Sequence, residues 1–168
     1  GIAGSANALQ LTVEQSFPLN GAPGNAEDIS VIYDGANAGI YIPHDDAGQV
    51  TVLDVNTGAF LYNFSFNFGT GLNTEFRAMD VLPNGNLIIG QHDLNYVREF
   101  VIPGNPGDGS VPLATPGTIN FALPNHPDLN QAFDEFESIT AFAGPSAGQV
   151  FLLMGEEGRT PTGASVET

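Results

Sequence analysis

The chain has no cysteine, no lysine and no tryptophan. Without cysteine no disulfide staples the fold and no thiol does chemistry. The only cationic side chains are Arg77, Arg98 and Arg159, set against 19 acidic residues, for a formal net charge of −16. Such a surface repels phosphate backbones and anionic lipid, which argues against nucleic-acid or membrane-surface partners. It attracts cations instead, calcium first, because carboxylate and carbonyl oxygens are hard ligands. No apolar run approaches the ~20 residues of a membrane helix. Catalytic motifs are missing as well. There is no G-x-S-x-G elbow, and His44, His92 and His126 lack a serine at motif spacing. There is no glycine-rich phosphate loop between strand and helix, and no H-x-x-x-H or H-E-x-x-H pair. The expectation is a protein that is not an enzyme and has no cofactor, with calcium as the one candidate ion.

What the sequence does hold is turn formers and bulky apolar residues: 21 glycines, 12 prolines and 12 phenylalanines. That mixture points to an all-β chain with many tight turns. At 42% hydrophobic residues, disorder is a poor reading. Near the start, Ala6-Asn7-Ala8 fits the A-x-A cleavage pattern of a secretory signal, or else belongs to a small-residue strand. With the acidic, lysine-free composition and the all-β pattern, the expected location is extracellular.

Three segments repeat. The first runs Asp28-Ile29-Ser30-Val31-Ile32-Tyr33, a glycine-rich turn, then Gly39-Ile40-Tyr41-Ile42-Pro43-His44-Asp45. The second runs Arg77-Ala78-Met79-Asp80-Val81-Leu82, the turn Pro83-Asn84-Gly85, then Asn86-Leu87-Ile88-Ile89-Gly90-Gln91-His92-Asp93. The third runs Glu137-Ser138-Ile139-Thr140-Ala141-Phe142, a Gly/Pro turn, then Gln149-Val150-Phe151-Leu152-Leu153-Met154-Gly155-Glu156. Each reads as a hairpin. After the first two, alternating runs over 49–54 and 96–101 read as third strands. Apolar runs over 59–66 and 118–123 read as fourth strands. Four antiparallel strands per unit, repeated every ~45–60 residues, is the blade pattern of a β-propeller.

The turns Asp54-Val55-Asn56-Thr57-Gly58 and Leu82-Pro83-Asn84-Gly85-Asn86-Leu87 resemble the blade turns of NHL, SMP-30-like and quinoprotein-like propellers. The resemblance implies a propeller-type fold and says little of activity. It departs from those families in blade number, since a closed propeller needs about four to eight. The expected organisation is a single β domain of about two and a half blades. A strand lies within 1–20, blade one spans 27–66, blade two 75–123, a partial blade three 135–157 and a tail 158–168. The tail has almost no apolar residue for a further strand.

The first strand has no hairpin before it. Over residues 9–17, Leu9, Leu11 and Val13 alternate with Gln10, Thr12 and Glu14, and Phe17 follows. Such a spare strand, together with an unfinished third blade, predicts an open array completed by strand exchange between copies. Leu9, Leu11, Val13 and Phe17 are the expected donor side chains, and Ile139, Ala141, Phe151 and Leu153 the acceptors. Two other readings stay open: a compact sandwich closed within one molecule, or a piece of a longer propeller.

Candidate chemistry is sparse. His44-Asp45-Asp46 and His92-Asp93 follow the second strands of their blades, and Glu156-Glu157 is the third equivalent. Asp45, Asp46 and Asp93, with Asp108 in the oxygen-rich loop 105–110, are the candidate calcium ligands, though Asp is equally at home in turns. Asp134-Glu135-Phe136-Glu137 is an acidic strand entry placed to answer Arg77 or Arg98. Asn63-Phe64-Ser65 matches the N-x-[ST] pattern, and the Ser/Thr tail from Thr160 offers a second place for a glycan. The alternative to a structural assembly is an oligomeric propeller that binds sugar or, lactonase-like, uses a metal. Against sugar binding stand the missing tryptophan and the placing of Tyr33, Tyr41, Tyr62 and Tyr96 in strand patterns, where they are expected to pack.

Overall fold

A computed structural model describes residues 16, 24–44, 48–66, 76–91, 96–122, 136–156, 158–159 and 165–166. All of its regular structure is β, in antiparallel sheets, and no helix occurs among these residues. Sheet one is a four-stranded meander of β1 (Ser30–Ile32), β2 (Gly39–His44), β3 (Gln49–Leu53) and β4 (Phe60–Ser65). Sheet two repeats it with β5 (Phe76–Val81), β6 (Leu87–Gln91), β7 (Tyr96–Val101) and β8 (Thr115–Ala122). A two-stranded hairpin follows, β9 (Phe136–Ala143) with β10 (Val150–Glu156).

The turns form where the sequence has the residues for them. Between β3 and β4, Asp54 Oδ1 accepts from the Asn56 N–H at 3.0 Å and from the Thr57 N–H and hydroxyl at 2.8 Å each. The Thr57 and Asn56 donors hold the exposed Asp54 carboxyl below the usual carboxylate range. Gly58 then closes the turn at φ +67°, in the left-handed region that a side chain resists. Between β5 and β6, Gly85 does the same at φ +83°.

Strand alternation gives each sheet two apolar faces, and the three units stack through them. Tyr41, Val50, Val52, Tyr62 and Phe64 of sheet one meet Met79, Leu87, Ile89 and Phe100 of sheet two in the main core. The opposite face of sheet two carries Ala78, Leu82, Ile88 and Val97, which bury Ile139 of β9. Ala141, Val150, Leu152 and Met154 pack at the border of that second cluster. Burying so many aliphatic and aromatic side chains, at roughly 1.5–3 kcal/mol each, outweighs any polar contact described below.

A carboxylate crosses each of these two joints. Asp28 Oδ2 accepts the Met79 N–H at 2.8 Å, and Asp80 Oδ2 accepts the Ala141 N–H at 2.7 Å. Asp28, just before β1, thus holds β5, and Asp80 of β5 holds β9, each through a backbone amide. Replacing Asp80 with alanine leaves the Ala141 amide without its acceptor. The expected result is a loss of about 1–3 kcal/mol and faster hydrogen exchange at Ala141, read by NMR.

Several expectations change on contact with the structure. The fourth strand of sheet two starts earlier than its apolar run, at Thr115. The tail holds a short ladder, β11 (Gly158–Arg159) with β12 (Ser165–Val166), where no further strand was expected. Tyr41 and Tyr62 pack in the core as expected, but Tyr33 is exposed just beyond β1. Leu9, Leu11, Val13 and Phe17 lie outside the described residues.

Candidate functional site

The hairpin and the sheet before it border a cleft of about 700 Å³. Leu82, Asn84, Glu99, Thr118, Ile119, Gln149 and Val150 are among its walls. Its origin is topological. In sheets one and two the second strand is paired on both edges, β2 by β1 and β3, and β6 by β5 and β7. Among the described residues β10 is paired only by β9, and no described strand lies on the other edge of Val150–Glu156. On the hairpin side the cleft is walled by the turn 143–149 and by Val150 at the start of β10.

Glu99 forms the polar part of its wall. Only 2% exposed, its carboxylate has no cation beside it among the hydrogen bonds it makes. Oε1 accepts from Asn84 Nδ2 at 2.8 Å and from Asn86 Nδ2. Oε2 accepts from the Thr118 N–H at 2.8 Å, the Thr118 hydroxyl at 3.0 Å and the Ile119 N–H at 2.9 Å. The two backbone donors are free for this because the ladder is broken there. Arg98 pairs with Asn120 and Phe100 with Pro116, so β8 bulges around Glu99. The carboxylate replaces the ladder acceptors that the bulge removes. Burial pushes its pKa up, but the donors of Asn86, Ile119, Asn84 and Thr118 outweigh burial and hold it at about 2.

Gly117 allows the bulge to close on the carboxylate. A Cβ there would stand 2.4 Å from Glu99 Cδ, inside van der Waals contact. Gly117→Ala should cost about 1–3 kcal/mol, because either the bulge or the carboxylate must move. Urea denaturation with an unchanged m-value is the check.

The expected acceptor residues divide between the two faces of the hairpin. Ile139 and Ala141 face sheet two, and Ile139 is buried there rather than left at an open margin. Cross-strand pairing sets Leu152 against Ala141 and Phe151 against Phe142, so Phe151 and Leu153 lie on the outer face, exposed. The structure therefore brings the four onto one hairpin but not onto one surface.

Asp45, Asp46 and Asp93 lie outside the described residues, as do His92, His126 and Glu157. Asp108 is exposed, with Oδ1 accepting the Ser110 N–H at 2.9 Å. The Ser110 hydroxyl and N–H hold its carboxyl below the ordinary range. Loop 105–110 instead walls a smaller cleft of about 260 Å³ with Phe60, Leu61, Tyr62 and Asn63. Among the described residues no three His, Asp or Glu side chains come together.

His44 is fully buried at the end of β2, its Nε2 2.8 Å from Thr51 Oγ1 and its Nδ1 3.2 Å from the Gly24 carbonyl. Burial lowers its pKa, against the raising effect of the Gly24 and Asn25 carbonyls. Its position ties the chain before β1 to sheet one. Thr51 Oγ1 also donates to Asn63 Oδ1 at 2.8 Å. The asparagine of the N-x-[ST] pattern therefore sits inside β4 with its side-chain oxygen engaged. Glu137 answers Arg77 at 3.4 Å, across from β5 to β9.

No family model matches this sequence, and no curated protein matches it.

Proposed function

We propose that this chain is an extracellular structural subunit that self-assembles by donating a β-strand to its neighbour. In this reading its sheets are propeller-like blades, two complete and one half-built. The N-terminal run, with Leu9, Leu11, Val13 and Phe17, adds itself to the third blade of another copy. The contact is head to tail, so it closes into a ring or continues as a filament according to the rotation between copies. No catalytic step and no cofactor is assigned to it.

One observation carries the proposal: β10 has an edge that no described strand pairs, and at its Val150 end lies a cleft of about 700 Å³ with Leu82 and Ile119 also in its walls. An open edge offers backbone donors and acceptors to an incoming strand, and an apolar wall rewards every second side chain of that strand. Glu99 orients the donor. The apolar side of the run, Leu9, Leu11 and Val13, belongs over the cleft beside Val150, Leu152 and Met154. Its polar side would bring Glu14 towards the buried Glu99 carboxylate, a like-charge contact in a poorly solvated place.

Removing residues 1–17 should abolish the oligomer and leave a β-rich chain that sediments as a monomer. Retention of the same oligomer by the truncated chain overturns the proposal. The absence of native cysteine allows a second test. A chain carrying Leu11→Cys and Leu152→Cys should oxidise to a ladder of multimers on a non-reducing gel. A single oxidised band at monomer size would instead mean that the strand completes its own molecule.

A further inference from the structure

Two Asn-Gly steps occur in the sequence, Asn20-Gly21 and Asn84-Gly85, and the second lies within the described residues. An asparagine before glycine is the step most open to spontaneous deamidation, because glycine has no Cβ to hinder attack by its own nitrogen. The Gly85 nitrogen attacks Asn84 Cγ, the new C–N bond closes a cyclic imide, and the Cγ–Nδ2 bond breaks. Ammonia leaves with the proton that the Gly85 nitrogen gives up. Water then opens the imide at one carbonyl or the other, giving aspartate or isoaspartate. Pro83 and Asn84 are exposed, so water reaches the step. Gly85 stands in open space, with nothing within 4 Å of where a Cβ would sit.

The folded chain holds every group that this reaction must move. The Gly85 N–H donates to the Leu82 carbonyl at 2.8 Å, within the turn between β5 and β6. Asn84 Oδ1 accepts the Asn86 N–H at 3.0 Å. Asn84 Nδ2, the leaving nitrogen, donates to Glu99 Oε1 at 2.8 Å. The first two contacts lie within the turn itself, and a surface turn opens locally at little cost. The third ties the side chain to a carboxylate that Asn86, Thr118 and Ile119 also hold. We propose that Asn84 is a deamidation site of this protein and that the buried Glu99 carboxylate keeps it shut. Glu99 acts through position: with Nδ2 held, the side chain is not free to bring Cγ to the Gly85 nitrogen.

The product works against its surroundings. Deamidation replaces a donor to Glu99 with a second carboxylate, a like-charge contact in a poorly solvated place. Asn84 and Glu99 both stand in the wall of the cleft of about 700 Å³. The reaction runs one way, so an aged chain differs from a new one at this wall. The site stands whether or not copies of the chain assemble.

Trypsin, cutting after Arg77 and Arg98, releases residues 78–98. Conversion of Asn84 makes this peptide one mass unit heavier, and its fragment ions separate Asn84 from Asn86 and Asn95. The peptide is followed during incubation at mildly alkaline pH. In the folded wild type Asn84 should react at least about tenfold more slowly than in the wild type unfolded by urea. Glu99→Ala should remove most of that protection. Glu99→Gln serves where the alanine chain does not fold. Its one oxygen, turned to Thr118 and Ile119, sets an NH2 group against Asn84, so it too should speed the reaction. Asp80→Ala loosens the contact with β9 and leaves the Asn84–Glu99 contact in place, so its rate should stay near that of the wild type. Circular dichroism checks that each chain is folded. Asn84→Asp, the product itself, should lower the urea midpoint more than Asn84→Ala, since it adds a charge as well as removing a donor. Equal rates in the folded and unfolded wild type overturn the proposal, as does a Glu99→Gln chain as slow as the wild type. An Asp80→Ala chain as fast as Glu99→Gln also overturns it, because protection would then come from global stability and not from Glu99.

Discussion

Glu99→Ala should cost the fold about 3–5 kcal/mol, among the largest effects of any single change. The cost does not come from lost packing alone. Asn84, Asn86, the Thr118 amide and hydroxyl and the Ile119 amide all lose their acceptor in one step. Two of these are backbone amides in a bulge, which cannot turn elsewhere without closing the bulge. Glu99→Gln keeps the volume but sets an amide NH2 against donors, so it should recover only part of the loss.

The pH dependence follows from the same group. Its ordinary value is 4.5 and its folded value about 2, a depression worth about 3 kcal/mol of stability. The folded pKa is depressed, so that stability is fully present above the unfolded value and is lost as pH falls towards the folded one. Asp28 works in the opposite direction. Burial raises its carboxyl above 3.8, as does the neighbouring Asp80 charge, against the Met79 and Ile29 amides. Its contribution is therefore full in acid and is lost as pH rises through its folded value. The Glu99 share of the curve holds from neutrality to pH of about 5 and then falls, with the Asp28 share running against it. The Glu99→Gln curve should lack most of that fall, read by urea midpoints at each pH. Parallel curves for the two proteins down to pH of about 2 would remove Glu99 as the cause.

The contrast between these residues shows what the sequence could carry. Strand positions in both meanders were legible because alternation and Gly/Pro/Asn turns are local signals, as in Asp54-Val55-Asn56-Thr57-Gly58. Glu99 was not. In a run read as Tyr96-Val97-Arg98-Glu99-Phe100-Val101, a glutamate on an alternating strand looks like the wet face. In fact Glu99 and Phe100 are both buried, because sheet two is covered on both sides. Its donors lie 13 and 15 residues upstream and 19 and 20 downstream, joined only by register. Gly117 was the one available hint, a glycine inside a strand that marks a bulge or a close approach. The division of Ile139, Ala141, Phe151 and Leu153 between two faces was hidden for the complementary reason. Which side chains of β10 share a face with Ile139 depends on the length of the turn between the strands. A shift of one residue exchanges Leu152 for Phe151. The two carboxylate joints, Asp28 and Asp80, were equally hidden, since an aspartate beside or within an apolar run reads as a surface residue until its neighbour's amide is in place.

Assembly should strengthen as salt rises, by about tenfold or more between low and high ionic strength. Each copy brings a net charge of −16 and only three arginines. Arg77 is committed to Glu137, and Arg98 lies over the Tyr96 ring at 5.0 Å. The proposed head-to-tail joint has to form against repulsion between two acidic bodies, while the contact proposed for it, an added strand, gains nothing from low salt. Going from about 0.01 M to about 1 M salt cuts the screening length from about 30 Å to about 3 Å, shorter than the width of a strand pair. Sedimentation equilibrium in sodium chloride should show the dissociation constant falling through that range. Calcium at millimolar concentration and fixed ionic strength separates screening from specific binding. An effect matched by magnesium at equal ionic strength is screening. One that calcium alone produces, and that Asp108→Asn or Asp93→Asn removes, places an ion in the joint. Association that weakens with added salt would mean that the joint is held by paired charges, and the apolar strand contact proposed for the edge of β10 would have to be given up.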